Sequence, residues 1–221
     1  MEYIWWEKTV EYLFVQEHIP NSTLYTPLDG RHELASDGIL FNGNSWILIE
    51  FKAQKTDIAT ERRKFSQYDE CMKRVIDRAS HHYFIFGQIN EKDELELVSC
   101  KYFGDSQLYP VKESLRRGAE PSDFINYLID LIECKKQVSD LKKTIDYSAV
   151  LGISNNGKIT SCLTIDAYLN QVEANLMDCL DEATSDSEVD SIERDLEIIN
   201  RALHDIEDSP VRFRSGLGRA L

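Results

Sequence analysis

A carboxylate and an ammonium group stand two residues apart, at Glu50 and Lys52, inside the apolar stretch Trp46–Ala53. On a strand, alternate side chains share a face. Glu50 and Lys52 then point to one side, while Ile49, Phe51 and Ala53 point to the other and can pack in a core. A second carboxylate, Asp37, opens the short strand candidate Asp37–Phe41, and Asn42-Gly43-Asn44 between the two is a strong hairpin signal. A hairpin would lay the Asp37 strand beside the Glu50 strand, so that two carboxylates and one ammonium converge. Two carboxylates suit Mg²⁺ or Mn²⁺, hard cations that take oxygen ligands. Such an ion polarises a phosphate and lowers the pKa of a bound water. Asp37 and Glu50 are the expected metal ligands, with the Phe51 carbonyl as a further candidate. Lys52 is expected to stabilise charge on the phosphate or orient the attacking water. The chemistry is phosphodiester hydrolysis. The plain alternative is an exposed ion pair across one strand face, worth a few tenths of a kcal/mol at roughly surface-pair strength.

The elements that must position these groups are readable from periodicity. Residues 4–17 predict a helix with Trp6, Val10, Leu13 and Phe14 as its packed stripe. Thr23–Leu28 is a strand candidate ahead of a turn at Asp29-Gly30. Thr60–Ala79 predicts one helix with Phe65, Tyr68, Met72, Val75, Ile76 and Ala79 on its buried face. Tyr83–Gly87 and Leu95–Tyr102 predict strands. Pro121 suits the first turn of a long helix reaching about Lys143. Ala149–Ile165 predicts a hairpin about Asn155-Asn156-Gly157. Two acidic helices, about 166–182 and 188–206, complete the order, the second with a capping box at Ser185 and Glu188. The expected fold is α/β, a mixed sheet flanked by helices, with helical additions at the C-terminus.

The pattern of Asp37 followed by Glu50-Phe51-Lys52 resembles the PD-(D/E)XK, or restriction-endonuclease-like, nuclease superfamily. Its motif is an acid at the start of one strand, then Asp or Glu, any residue, and Lys on the next. The family core of helix, three strands, helix and strand resembles the order read over residues 4–87. The residue before Asp37 is Ser36 rather than proline. The resemblance covers about the first 105 residues and implies an Mg²⁺- or Mn²⁺-dependent endonuclease acting on DNA, with RNA as an alternative substrate. Members include restriction enzymes, repair nucleases and antiphage defence nucleases, so a defence or mobile-element effector is the implied setting. Many members carry a glutamate on the first helix. Glu7 is the choice for that auxiliary metal ligand and Glu11 the second choice. A glutamine on the helix after the site occurs in some members, which makes Gln67 a minor catalytic candidate, with Lys64 beside it.

Other signals have ordinary explanations. Lys64, Gln67, Cys71, Arg74 and Arg78 share a helical face that could follow a nucleic-acid backbone. Asp69 with Lys73, and Glu70 with Arg74, have the spacing of helical ion pairs on a solvated face. His81 and His82 are expected to be structural, with at most one facing the site. Lys135, Lys136, Lys142 and Lys143 read as a solvated helix face that could extend a phosphate-binding surface. The five cysteines are scattered, without a zinc-ligand pattern, and read as buried thiols in a reducing compartment.

The net charge is −14, which argues against a general nucleic-acid-binding surface. Between Leu163 and Asp208, however, fourteen acids face only Arg194 and Arg201, −12 in all, which leaves −2 for the rest. The expected organisation is a nuclease-like core over 1–105, a long helix and hairpin extending it over 106–165, an acidic helical hairpin over 166–208, and a tail over 209–221. The acidic hairpin is expected to bind a protein partner or make a homodimer, or to shield the active face. A non-catalytic interaction protein working through these helices is the alternative function. With no membrane-length apolar run and no secretory signal, the expected location is cytoplasmic, without membrane partners.

Overall fold

The computed structural model describes residues 5–19, 24–25, 45–65, 67–104, 107–135, 148–155 and 158–207. Helix α1 (Glu7–His18) is followed by strands β1 (Leu24–Tyr25) and β2 (Ser45–Lys52). A broken helical segment holding α2 (Ile58–Glu61) and α3 (Tyr68–Val75) leads to β3 (His82–Ile89), β4 (Leu95–Lys101) and β5 (Tyr109–Pro110). Then come α4 (Val111–Ser114), α5 (Pro121–Lys135), β6 (Ser148–Ile153), β7 (Ile159–Leu163), α6 (Ile165–Glu182) and α7 (Asp186–Glu207). The described strands form one seven-stranded mixed sheet in the order β1-β7-β6-β2-β3-β4-β5. The α/β class expected from the sequence is therefore present, with helices on both faces.

β2 is central because Trp46–Ile49 is an unbroken apolar run and every residue after Ser45 is buried, which suits a strand covered on both sides. Its alternation divides the core. Ile47, Ile49 and Phe51 face α1 and α4, where they meet Val10, Phe14, Val111 and Leu115. Trp46 and Leu48 face α3, α5, α6 and α7 and join Val75, Phe124, Tyr168 and Ile199. Glu50 and Lys52 continue that second face at the C-terminal end of the strand.

Both edges of β2 are occupied. β3 pairs with it in parallel over Leu48–Lys52, and β6 pairs antiparallel over Ser45–Glu50. The edge expected to hold the Asp37 strand holds β6 instead, with Ser148 opposite Glu50. A strand nearly a hundred residues downstream takes that place because Ala149, Val150 and Leu151 are apolar on both faces and bury completely. Asp37–Phe41 and the turn after it lie outside the described residues.

Two local expectations change. Helix α1 begins at Glu7, so Trp6 is extended and 71% exposed rather than part of the packed stripe. Trp5 turns inward in its place. Its indole N–H donates to the Ala53 carbonyl at 2.7 Å, and Gly87 makes room, since a Cβ there would lie 2.7 Å from Trp5 Nε1. The single helix expected over Thr60–Ala79 is broken at Phe65, which is extended (φ −121°, ψ 140°). The break lets Phe65 bury against Tyr68, Tyr102 and Phe103, an aromatic cluster that offsets the helical hydrogen bonds forgone.

Candidate functional site

β2 ends opposite Phe86 of parallel β3, which runs on to Ile89, and ligand crevices form at the C-terminal ends of parallel strands in α/β sheets. Glu50 and Lys52 sit there, 0% and 4% exposed, so they are not the solvated surface pair. Lys52 Nζ is 2.8 Å from Glu50 Oε1 and 3.2 Å from Glu61 Oε2. Lys64 Nζ is 2.6 Å from the same Glu50 oxygen and 3.0 Å from the same Glu61 oxygen. Two ammonium groups and two carboxylate oxygens thus alternate round a four-cornered ring. The outer oxygens are held as well. Ser148 Oγ donates to Glu50 Oε2 at 2.7 Å, and Glu61 Oε1 accepts from Tyr102 OH at 2.7 Å and from Lys135 Nζ at 3.1 Å.

The break at Phe65 explains how Lys64 gets there. A straight helix would carry Lys64 along the same face as Gln67 and Arg74. The short turn Arg62–Lys64 instead directs Lys64 at Glu50, while Gln67 is exposed at the start of α3. Arg74 and Arg78 reach Asp130 on α5, and Arg74 also pairs with Glu133. They do not line a basic track with Lys64. Lys135 is 2% exposed and bound to Glu61, not part of a solvated basic face. Its ammonium also lies over the rings of Phe65 and Tyr102, at 5.3 and 5.2 Å.

The electrostatics follow from burial opposed by close countercharge. Burial raises the Glu61 carboxyl, but the ammoniums of Lys135, Lys64 and Lys52 outweigh it and hold the group far below the carboxylate range. Burial works against the Lys52 ammonium, and Glu50 and Glu61 reverse that, so its pKa stands above the ordinary lysine value. Lys64 is raised by the same carboxylates against the same penalty. Glu7 enters from the N-terminus of α1, which Trp5 pins to the end of β2. Its carboxyl is raised, first by burial, with Lys52 opposing and Glu50 and Glu11 adding to the rise. Glu11 is buried and pairs with Lys8 at 2.9 Å.

His81 and His82 are buried. Burial pushes His81 down to about 4 and His82 well below its usual value. Both rings pack on Tyr127, and His82 Nδ1 lies 2.6 Å from Tyr127 OH. That matches the structural role expected of them. A cavity of about 80 Å³ adjoins Glu61, lined by Ile58, Ala59, Arg62, Tyr68, Phe84 and Tyr102.

Of the residues singled out in the sequence, Glu50, Lys52 and Lys64 meet, Glu7 borders them, and Gln67 stands apart. Asp37 lies outside the described residues. Glu61, Tyr102 and Ser148 were missed, and Lys135 is a buried member of the cluster rather than the solvated residue expected. The spacing of Glu61 and Lys64 within one helical turn was the single available hint. Nothing near Lys135 or Ser148 in the chain signals Glu61 or Glu50. Among the described residues no group of three or more His, Cys, Asp or Glu side chains could hold a metal ion. Ser148, Lys52 and Lys64 already contact the two Glu50 oxygens, so a cation at Glu50 would have to share or displace these partners. No protein-family model, no curated protein and no solved structure matches this chain.

Proposed function

We propose that this chain is a nuclease that hydrolyses DNA phosphodiester bonds at the C-terminal end of β2. One observation carries the reading: Glu50 and Lys52 are buried at a strand end in one charged cluster with Glu61, Lys64 and Lys135, bordered by Glu7. The Lys52 and Lys64 ammoniums at this strand end suit the negative charge of a phosphodiester. Buried charges are costly even when paired, and well-packed apolar side chains would often stabilise the fold as well. Retaining five in one place points to work on an anion.

In this reading Lys64, the most exposed member at 23%, opens toward the incoming phosphate. Lys52 stabilises charge developing on the phosphoryl oxygens. Glu7, half-buried with a raised carboxyl, is placed to hold or release a proton. Dependence on Mg²⁺ or Mn²⁺ belongs to the reading through Asp37 and Glu50, and it is tested as its own arm.

Plasmid and linear DNA, and RNA in parallel, are incubated with wild type, Asp37→Ala and Lys52→Ala in Mg²⁺, Mn²⁺ or EDTA, with circular dichroism to confirm folding. The expected result is cutting that needs a divalent ion and falls about 10²–10³-fold in the folded Lys52 variant, the loss typical of removing one group that stabilises transition-state charge. Cutting that survives both substitutions would refute the assignment.

A second reading has its own observation. Between Val172 and Leu196, no described residue of the α6–α7 hairpin is buried, and Met177 is 53% exposed. An acidic arm standing off the core favours a protein-binding role, with or without catalysis. Wild type that cuts neither nucleic acid under any condition, together with a partner lost on deleting 173–195, would favour this reading.

A further inference from the structure

Cys71 on α3 and Cys134 in the last turn of α5 form a disulfide, with Cα atoms 5.8 Å apart and a sequence separation of 63. This bond departs from the expectation that all five cysteines are thiols. Cys100, Cys162 and Cys179 do stand outside any disulfide. The bond lies beside the charged cluster. Lys135, the next residue after Cys134, holds Glu61, and the α3 side of the bond follows directly on the bend that presents Lys64 and Phe65.

We propose that Cys71 and Cys134 are a reversible thiol–disulfide modification site that clamps α5 onto α3 and so fixes Lys135 on Glu61. The proposal does not depend on nuclease activity. The other ties between these helices are a shared apolar core that includes Val75, Leu128 and Leu131, and the polar contacts of Arg74 and Arg78 with Asp130 and Glu133. The polar contacts are largely solvent-exposed, and such pairs hold weakly. The disulfide is the covalent link between them, and it is one that a thiol-buffered compartment can open. Disulfides in such compartments are usually transient and redox-sensing.

The two sulfurs are unequal in a useful way. Cys134 is half-buried and its Sγ is 3.2 Å from the Arg74 guanidinium, which favours a thiolate when the bond is open. Cys71 is 6% exposed. A low-mass disulfide such as oxidised glutathione is the matching oxidant. The Cys134 thiolate attacks one of its sulfurs and expels one glutathione thiolate, leaving a mixed disulfide. The Cys71 thiolate then attacks Cys134 Sγ and expels the second. The protein dithiol loses two electrons, one glutathione disulfide becomes two glutathiones, and the two cysteine protons pass to them.

The test uses the full chain equilibrated across glutathione redox buffers, with thiols trapped by N-ethylmaleimide and located by peptide mass. The expected result is that Cys71 and Cys134 gain and lose label together and reversibly. In the same samples, amide exchange over 58–65 and 131–135 should be about ten-fold slower in the oxidised form, as expected when local opening is suppressed. Cys71→Ser should abolish the redox dependence of exchange, and the comparison of oxidised with reduced wild type stands even if that variant folds poorly. Full labelling of both cysteines in the most oxidising buffer would overturn the proposal. So would identical exchange over 58–65 in the two wild-type forms, which would leave a bond with no hold on the site.

Discussion

The charged cluster at the end of β2 and the α6–α7 hairpin are built from the same kinds of side chain and obey opposite rules. In the cluster, Glu50, Glu61, Lys52 and Lys135 are at most 4% exposed, and each carboxylate lies within 3.2 Å of at least two ammoniums. In the hairpin, acids such as Asp181, Glu188, Asp190 and Glu193 are exposed, and Arg201 pairs with Glu197 on the surface. Water solvates the hairpin charges, so they need few partners. The cluster charges have lost most of that water, so each must find its counterion within the fold. Charge alone therefore says little about function, whereas charge together with burial says much more.

The largest expected effect breaks the buried half of this comparison. Glu61→Ala leaves three buried ammoniums facing Glu50 alone, and should cost about 3–5 kcal/mol in urea unfolding, the range for stripping a buried charge of its partner. A loss below about 1 kcal/mol would place the cluster with surface pairs after all.

The second prediction concerns pH. His81 is pushed down to about 4 in the fold, while in the unfolded chain it titrates near the ordinary value. Between those limits the unfolded state binds the extra proton. The stability is therefore fully present above about pH 6.5 and lost as pH falls toward 4, at about 1.4 kcal/mol per unit for one proton. His82 is depressed as well and adds to the slope. His81→Phe should make the curve shallower by one proton in that window. Glu61 acts in a separate one. Its depressed carboxyl contributes stability present above the unfolded glutamate value and lost only at more acid pH. An unchanged slope in His81→Phe would show that His81 is not buried neutral.

A third measurement tests how the cluster is placed. In Gly87→Ala the new Cβ would meet the Trp5 indole and the Leu95 side chain at 2.7 and 2.8 Å. Freeing Trp5 from Ala53 should cost about 1–3 kcal/mol, the usual range for overpacking. It should also shift Trp5 fluorescence toward that of solvated indole. An unperturbed spectrum would mean that the N-terminus of α1 is not pinned in this way.

The smallest effect belongs to the hairpin. Glu193→Gln or Asp190→Asn should change stability by less than about 0.5 kcal/mol, as for ordinary surface sites. Any gain should shrink as salt screens the surrounding acids. A change as large as that of Glu61→Ala would erase the distinction between the two regions.

What could be read in advance follows the range of the interactions. The alternation in β2 put Glu50 and Lys52 on one face, because strand periodicity needs only neighbouring residues. The cap of α7 was also local: the Glu188 N–H donates to Ser185 Oγ, and the Glu188 carboxylate accepts from the Thr184 N–H. The break at Phe65 was not readable, because helical spacing continues through it and the cause lies in Tyr102 and Phe103, just past the end of β4. Ser148 and Lys135 were equally hidden, since each meets its carboxylate only through the sheet order and the packing of α5.

By itself, then, the sequence determined which residues could carry charge chemistry, the strand that bears two of them, and the acidic character of the C-terminal helices. These properties depend on residue type and on separations within one element. The tertiary structure alone decided that the partners of Glu50 and Lys52 are Glu61, Lys64 and Ser148, that Lys135 is buried rather than solvated, and that β6 occupies the edge expected for the Asp37 strand. Those outcomes depend on which distant segments lose the most water by meeting, a quantity that no local pattern carries.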